Sequence, residues 1–235
     1  RKSIDRIAHP GKRILEAKQR ILFQLGTQAF ANTQFEQAIG YFDRSLGLGQ
    51  YNRQTKADAL YWRGEAYYRL NRMEEAKRNF TDYLQLTQQT HNEMYALAHY
   101  NLGYIAFHQK DYTQAQNWFR KYISLEKGEN KTALADAYNR IGDCYLDVRN
   151  FDEAKHYYSQ AEAMNTPSGD YSFYQLALVS GLQKDYSGKI TLLNRLAGKY
   201  PASPYAISAL YEKGRSYVLM DNNQQAIASF KELLA

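Results

Sequence analysis

Apolar and polar positions along the chain fall into paired helical stretches. The stretch "WRGEAYYRLNRMEEAKRNF", Trp62 to Phe80, shows one such pair. Its apolar residues keep helical spacing on both sides of a short polar turn, and a glycine, Gly64, sits inside the first helix. There glycine costs about 1 kcal/mol against alanine, so its presence calls for a structural reason.

Self-similarity supplies that reason. With Gly64 as origin, Tyr67 lies three residues on, Ala76 twelve on and Phe80 sixteen on. The same offsets recur from Gly26 (Ala38, Phe42), Gly103 (Ala115, Phe119), Gly142 (Tyr145, Ala154, Tyr158) and Gly214 (Tyr217, Ala226, Phe230). A degenerate copy begins at Ala177 and reaches Leu193. The origins are spaced 38, 39, 39, 35 and 37 residues apart. Each unit reads as helix A, a turn, then helix B. The glycine is expected to let two helix backbones approach, with the alanine as its small partner on helix B and the aromatic filling the space between neighbours. Asp111, Asn150, Asp185 and Asn222, eight residues past their origins, are good N-caps for helix B. Asp111–Gln114 and Asn150–Glu153 have the spacing of capping boxes.

Neither helix of a unit can bury its apolar face alone, so the units must stack. The pattern resembles the tetratricopeptide repeat (TPR), and the resemblance covers about residues 13–235 in six units. It implies an all-α solenoid of stacked antiparallel hairpins wound into a right-handed superhelix. The units exceed the family's usual 34 residues, so helices or connections are lengthened. The junction Tyr200-Pro201-Ala202-Ser203 is also similar to the step between repeats in TPR proteins of the bacterial envelope. The Tol–Pal-associated periplasmic protein and the outer-membrane assembly lipoprotein are among these. That likeness implies a bacterial periplasmic or outer-membrane-associated location, with the cytoplasm as the alternative.

The fifth unit departs most from the pattern. Ala177 replaces glycine, Lys189 the alanine and Leu193 the aromatic. Lys189 is expected to snorkel outward while Gly188 makes the close contact. A bend is expected between the fourth and fifth units, after the helix-breaking "NTPSGD" of residues 165–170. The chain reads as a piece of a longer protein. Arg1 stands where an initiator Met would be, and "IASFKELLA" ends on an apolar helix with no polar cap. Either further units follow it, or Leu233 and Leu234 pack on another chain.

Charge changes this picture only at one end. The whole chain carries 30 Lys and Arg against 24 Asp and Glu. Residues 1–20 alone hold seven basic and two acidic side chains. Residues 1–12 are therefore a basic segment or the tail of a preceding repeat. No apolar run approaches the roughly 20 residues that span a bilayer.

Candidate chemistry is sparse. The five histidines, at 9, 91, 99, 108 and 156, form no i, i+4 pair, and no metalloprotease motif is present. The single cysteine, Cys144, lacks a poised base and reads as a buried structural thiol. No catalytic residue, metal site or cofactor is expected, and the chain does not read as an enzyme.

The expected working surface is the inner face of the A helices. In TPR proteins ligand contacts lie six and three residues before the glycine and one, four and five after it. Carried over, the resemblance points to Phe23, Thr27 and Phe30 in the first unit, and Tyr61, Glu65, Tyr68 and Arg69 in the second. The third unit supplies Tyr100, Tyr104, Phe107 and His108. The fourth supplies Asp136, Asn139, Asp143 and Asp147, and Tyr174 and Tyr211 follow. Units one to three thus present an aromatic stripe and unit four three aspartates. The Lys and Asn that clamp a C-terminal carboxylate in chaperone-binding relatives are replaced by Phe23 and Thr27. The expected partner is therefore a protein or peptide segment that is apolar, or basic where it meets the aspartates. Two alternatives stand beside this reading. One is a structural spacer that self-associates end to end through the C-terminal apolar helix. The other has the basic N-terminal segment touching nucleic acid or anionic lipid, although no aromatic residues interleave its charges.

Overall fold

A computed structural model describes residues 10–234. All but the last three residues of the basic segment 1–12 lie outside them. The described chain is all-α, built from twelve helices with no strand. In chain order these are α1 (Lys12–Ala31), α2 (Phe35–Leu46), α3 (Arg53–Arg69), α4 (Met73–Thr87), α5 (Tyr95–His108), α6 (Tyr112–Leu125), α7 (Lys131–Asp147), α8 (Phe151–Ala163), α9 (Gly169–Leu182), α10 (Tyr186–Lys199), α11 (Ala206–Leu219) and α12 (Asn223–Leu234). Odd-numbered helices are the A helices and even-numbered ones the B helices. The chain divides into two compact units, residues 1–114 and 115–235.

Every A-to-B turn is the same device. The residue seven past each repeat origin adopts the left-handed conformation: Thr33, Asn71, Lys110, Arg149, Lys184 and Asp221, all with φ between 56° and 64°. Each N–H of these residues donates to the carbonyl three back, as Thr33 does to Phe30 at 2.8 Å. The next N–H reaches five back, and the bonds Gln34 to Ala29, Arg72 to Tyr67, Asp111 to Ala106, Asn150 to Tyr145, Asp185 to Ser180 and Asn222 to Tyr217 are all 2.9 Å. This is the Schellman motif, which satisfies the orphan carbonyls of an ending helix. The residue that completes it also opens the B helix. Side-chain oxygens of Asp111, Asn150, Asp185 and Asn222 accept the N–H groups of Gln114, Glu153, Gly188 and Gln225 at 3.1, 3.4, 2.8 and 3.2 Å. In these four hairpins one residue thus closes helix A and caps helix B, whereas Gln34 and Arg72 hold the same place without a side-chain cap.

The repeat glycines serve a different contact from the expected one. At Gly26, Gly64, Gly142 and Gly214 the atom nearest a Cβ would belong to the aromatic ring sixteen residues on, not to the alanine. A Cβ at Gly26 would stand 2.5 Å from Phe42 Cε1, at Gly142 2.7 Å from Tyr158 Cε1, and at Gly214 2.6 Å from Phe230 Cε1. At Gly64 the nearest atoms are Phe80 Cε1 at 3.1 Å and Asn79 Cβ at 3.2 Å. Helix A therefore gives up a methyl group so that a ring from helix B can approach its backbone closely. Ala38, Ala76 and Ala154 and the rings of Phe42, Phe80 and Tyr158 are all 0% exposed. In hydrophobic terms a buried aromatic side chain contributes about 1.5–3 kcal/mol, more than the roughly 1 kcal/mol lost at the glycine.

The fifth repeat solves the same problem with other residues. Ala177 and Leu193 pack together with Phe173, Leu196 and Ala209, so a larger origin meets a smaller, flexible partner. Lys189 does not snorkel outward. It is 6% exposed, and its Nζ pairs with Glu212 of α11. Gly181, not Gly188, makes room for its stem: a Cβ at Gly181 would meet Lys189 Cδ at 2.8 Å. Gly188 instead gives its N–H to the Asp185 cap.

Candidate protein-interaction surface

In residues 1–114 the helical period aligns Tyr61, Glu65, Tyr68 and Arg69 on one face of α3, and Tyr100, Asn101, Tyr104 and His108 on one face of α5. Between the two faces lies an open cleft of about 200 Å³ lined by Glu65, Tyr68, Arg69, Tyr100, Asn101 and Tyr104. Asn101 organises it. Its Nδ2 donates to Tyr61 Oη at 3.1 Å and to Glu65 Oε1 at 2.5 Å. His108 Nε2 and Tyr68 Oη are 3.0 Å apart. Tyr100 and Tyr104 meet edge to face with centroids 5.1 Å apart. Burial raises the Glu65 carboxyl above its usual range, while Arg69 and the Asn101 hydrogen bond oppose the shift. Burial, followed by the Glu65 charge, raises the phenol of Tyr68.

The sequence-expected residues divide by burial. Tyr68, Tyr100 and Tyr104 are half-buried around the cleft. Tyr61 is not available for contact: it is 5% exposed and packs edge-on against Phe80 and Tyr83. Phe23 lies against Phe42, Phe30 against Phe35 and Trp62, and Phe107 against Tyr112, all half-buried. These three rings hold hairpins together while showing one edge to solvent.

In residues 115–235 the expected triple-aspartate face is not a bare acidic patch. Arg140 sits between Asp136 and Asp143, 3.5 and 2.6 Å away. Its guanidinium also covers the Tyr171 ring at 4.9 Å. Asp143 further accepts the hydroxyls of Tyr158 and Tyr171 at 2.6 and 2.7 Å. Burial raises its carboxyl, against the lowering effects of Arg140 and the two hydroxyls. Asp143 is thus a tie between α7, α8 and α9, and a charge swap there would disturb folding as well as binding. Asn139 is 1% exposed and accepts the Ser172 hydroxyl at 2.9 Å, so it too is a core residue. Asp147 alone of the four is exposed. Beyond it, Tyr171 and Tyr174 both meet Tyr205, the N-cap of α11, with centroids 6.0 and 5.0 Å apart.

Sequence reasoning missed Asn101, Arg140 and Glu212. All three stand two residues before their repeat glycine, and each makes polar contacts to a neighbouring helix or within its own. The shared offset was the signal available for them. Cys144 is buried, and burial pushes its thiol up to about 12, which leaves it a poor nucleophile at neutral pH. Among the described residues no three His, Cys, Asp or Glu side chains are placed to hold a metal, and no helix is long and apolar enough to cross a membrane.

Models of the tetratricopeptide repeat match residues 23–78 and 139–204, residues 94–166, and residues 208–235. A Guillardia theta protein described as uncharacterized protein ycf37 is 40% identical over 62 residues, 26% of this chain. The matched part spans 35% of that relative's length. The crystal structure of apo RapI superposes with a TM-score of 0.76 at 14% identity, over 99% of this chain and 67% of that one. YrrB, described as a TPR protein with an unusual peptide-binding site, superposes with a TM-score of 0.63 at 18% identity, over 80% of this chain and 89% of that one. These structural likenesses speak for the fold. With its repeat pattern, its hairpins and matching family models along most of its length, this chain belongs to the tetratricopeptide repeat family.

Proposed function

We propose that this chain is a non-enzymatic protein-interaction module that holds an extended partner segment on its A-helix face, anchored in the cleft between α3 and α5. The observation that carries the reading is the cleft itself, with three half-buried tyrosines around a hydrogen-bonded Glu65–Asn101 pair. Tyrosines contribute large contact area at little conformational cost, and the asparagine amide can exchange partners with a peptide backbone. YrrB supports the reading as a TPR protein whose description includes a peptide-binding site. The test is an array of random peptides probed with the purified chain. Tyr104→Ala should abolish most captures, whereas Lys77→Ala, at an exposed position of α4, should leave them intact. Equal loss or equal retention in both variants counts against the cleft.

A second reading, self-association, draws on the last hairpin. Ile207, Tyr211, Val218, Leu219 and Ile227 are 71, 48, 48, 56 and 55% exposed. Sedimentation of the chain and of Ile207→Glu would separate the readings, since only a self-associating chain becomes lighter on that change. The envelope location rests on the Tyr200–Ser203 likeness alone. In the structure that step is a joint, where Ser203 Oγ donates to Asp170 Oδ2 at 2.7 Å. Fractionation of the native host tests the location.

A further inference from the structure

We infer that the α3–α5 cleft takes a cationic side chain, lysine or arginine, from the partner segment. This rests on the peptide-binding reading above and adds the chemistry of the residue that fills the cleft.

Three observations favour a cation. The carboxylate of Glu65 borders the cleft, and Asn101 donates to its Oε1. Arg69, the other charged residue of the lining, is exposed and lies on the same helix turn, yet no ion pair joins it to Glu65. The remaining walls are the rings of Tyr68, Tyr100 and Tyr104, and aromatic rings attract cations that reach their faces.

The rival fillings fit less well. An apolar side chain would seal Glu65 and Asn101 away from water without new partners, and buried polar groups left unpaired are costly. An acidic side chain would meet Glu65 as a like charge in a poorly solvated place. A lysine or arginine does the reverse: it gives the carboxylate a charged donor and offsets the burial that now raises the Glu65 carboxyl. The geometry also explains why Asn101 is an asparagine. Its amide donates to one carboxylate oxygen and to the Tyr61 hydroxyl at once, which a carboxylate in its place could not do.

The test uses the whole chain and fluorescent peptides of alternating alanine with lysine, and matched series with norleucine or glutamate in place of lysine. Binding is read by anisotropy at low and moderate salt. The lysine series should bind at least roughly tenfold more tightly than the norleucine series, a difference of about 1.4 kcal/mol. Glu65→Gln should erase that preference, and Glu65→Lys should turn it toward glutamate. Circular dichroism identifies any variant that misfolds, and the comparison of peptides on the unaltered chain needs no variant at all. Equal binding of lysine and norleucine peptides, with both lost in Tyr104→Ala, would overturn the cation while leaving the peptide cleft standing. No binding sensitive to Tyr104→Ala would overturn both.

Discussion

The ring of Tyr158 lies on the backbone of Gly142, so close that a Cβ there would stand 2.7 Å from Cε1, and the same tyrosine donates its hydroxyl to Asp143 at 2.6 Å. Stacking and hydrogen bonding therefore share one side chain. Gly142→Ala gains about 1 kcal/mol of helix propensity but overpacks the ring at a cost of roughly 1–3 kcal/mol, and it pulls the hydroxyl away from Asp143. The expected result is a lower urea midpoint with an unchanged slope. Gly40, on α2 with nothing within 4 Å of its would-be Cβ, is the control: Gly40→Ala should raise the midpoint. A raised midpoint in both variants would refute the ring-on-glycine account.

Thr33 occupies the left-handed turn position of the first hairpin with φ 59°. A β-branched residue is least suited to that region, where L-residues lose roughly 1–2 kcal/mol. Thr33→Asn and Thr33→Gly should each raise the melting temperature, by an amount corresponding to about 1 kcal/mol. Asn71, in the same conformation, predicts the converse, and Asn71→Val should lower it. Differential scanning calorimetry on the three variants decides.

The Lys189–Glu212 pair crosses from α10 to α11 with side chains 8 and 13% exposed. Removing one member strands the other, which typically costs about 3–5 kcal/mol, whereas replacing both with apolar residues is often neutral. Lys189→Met should thus destabilise strongly, softened by Arg215, which also reaches Glu212 at 3.1 Å. Lys189→Met with Glu212→Leu should recover much of the loss. A double variant as unstable as the sum of the singles would mean that the pair carries no coupling.

Glu65 and Asp143 both have carboxyls raised by burial. Folding therefore binds protons at these sites. Their favourable contribution is complete below the ordinary carboxylate value, about 4, and is lost as pH rises through the raised folded values. Glu65→Gln removes one such group. The stability difference between Glu65→Gln and the parent, measured by denaturant titration from acid to neutral pH, should grow in favour of the variant as pH increases. A difference that stays flat or shrinks would show that Glu65 is not strained by its burial.

Much of the fold was legible because the repeat states it six times. Gly142, Ala154 and Tyr158 mark a hairpin only when compared with Gly26, Ala38 and Phe42. The four Asx caps were readable from chemistry and offset together. The left-handed turn was not, because glycine, its usual sign, is absent from all six positions, where Thr33, Lys110 and Arg149 give no hint of it. The proposed cleft was legible only in part. Offsets located Tyr68, Tyr100 and Tyr104, but the same offsets chose Tyr61 and Asn139, which are buried because neighbouring helices close over them. Offsets also could not show that Arg140 partly neutralises the aspartates beside it, since that depends on side-chain reach within α7 and on Tyr171 of α9.

Because every A-to-B corner closes on the same pair of backbone bonds, it cannot absorb an extra residue without losing both. Variation in repeat length then falls outside that corner, in the helices and in the opposite joints, such as residues 47–52, 88–94 and 126–130, where Gly128 has open space around it. Grafted epitopes, linkers or cleavage sites therefore belong in the B-to-A connections, and the same graft at Lys110 or Arg149 would split a hairpin.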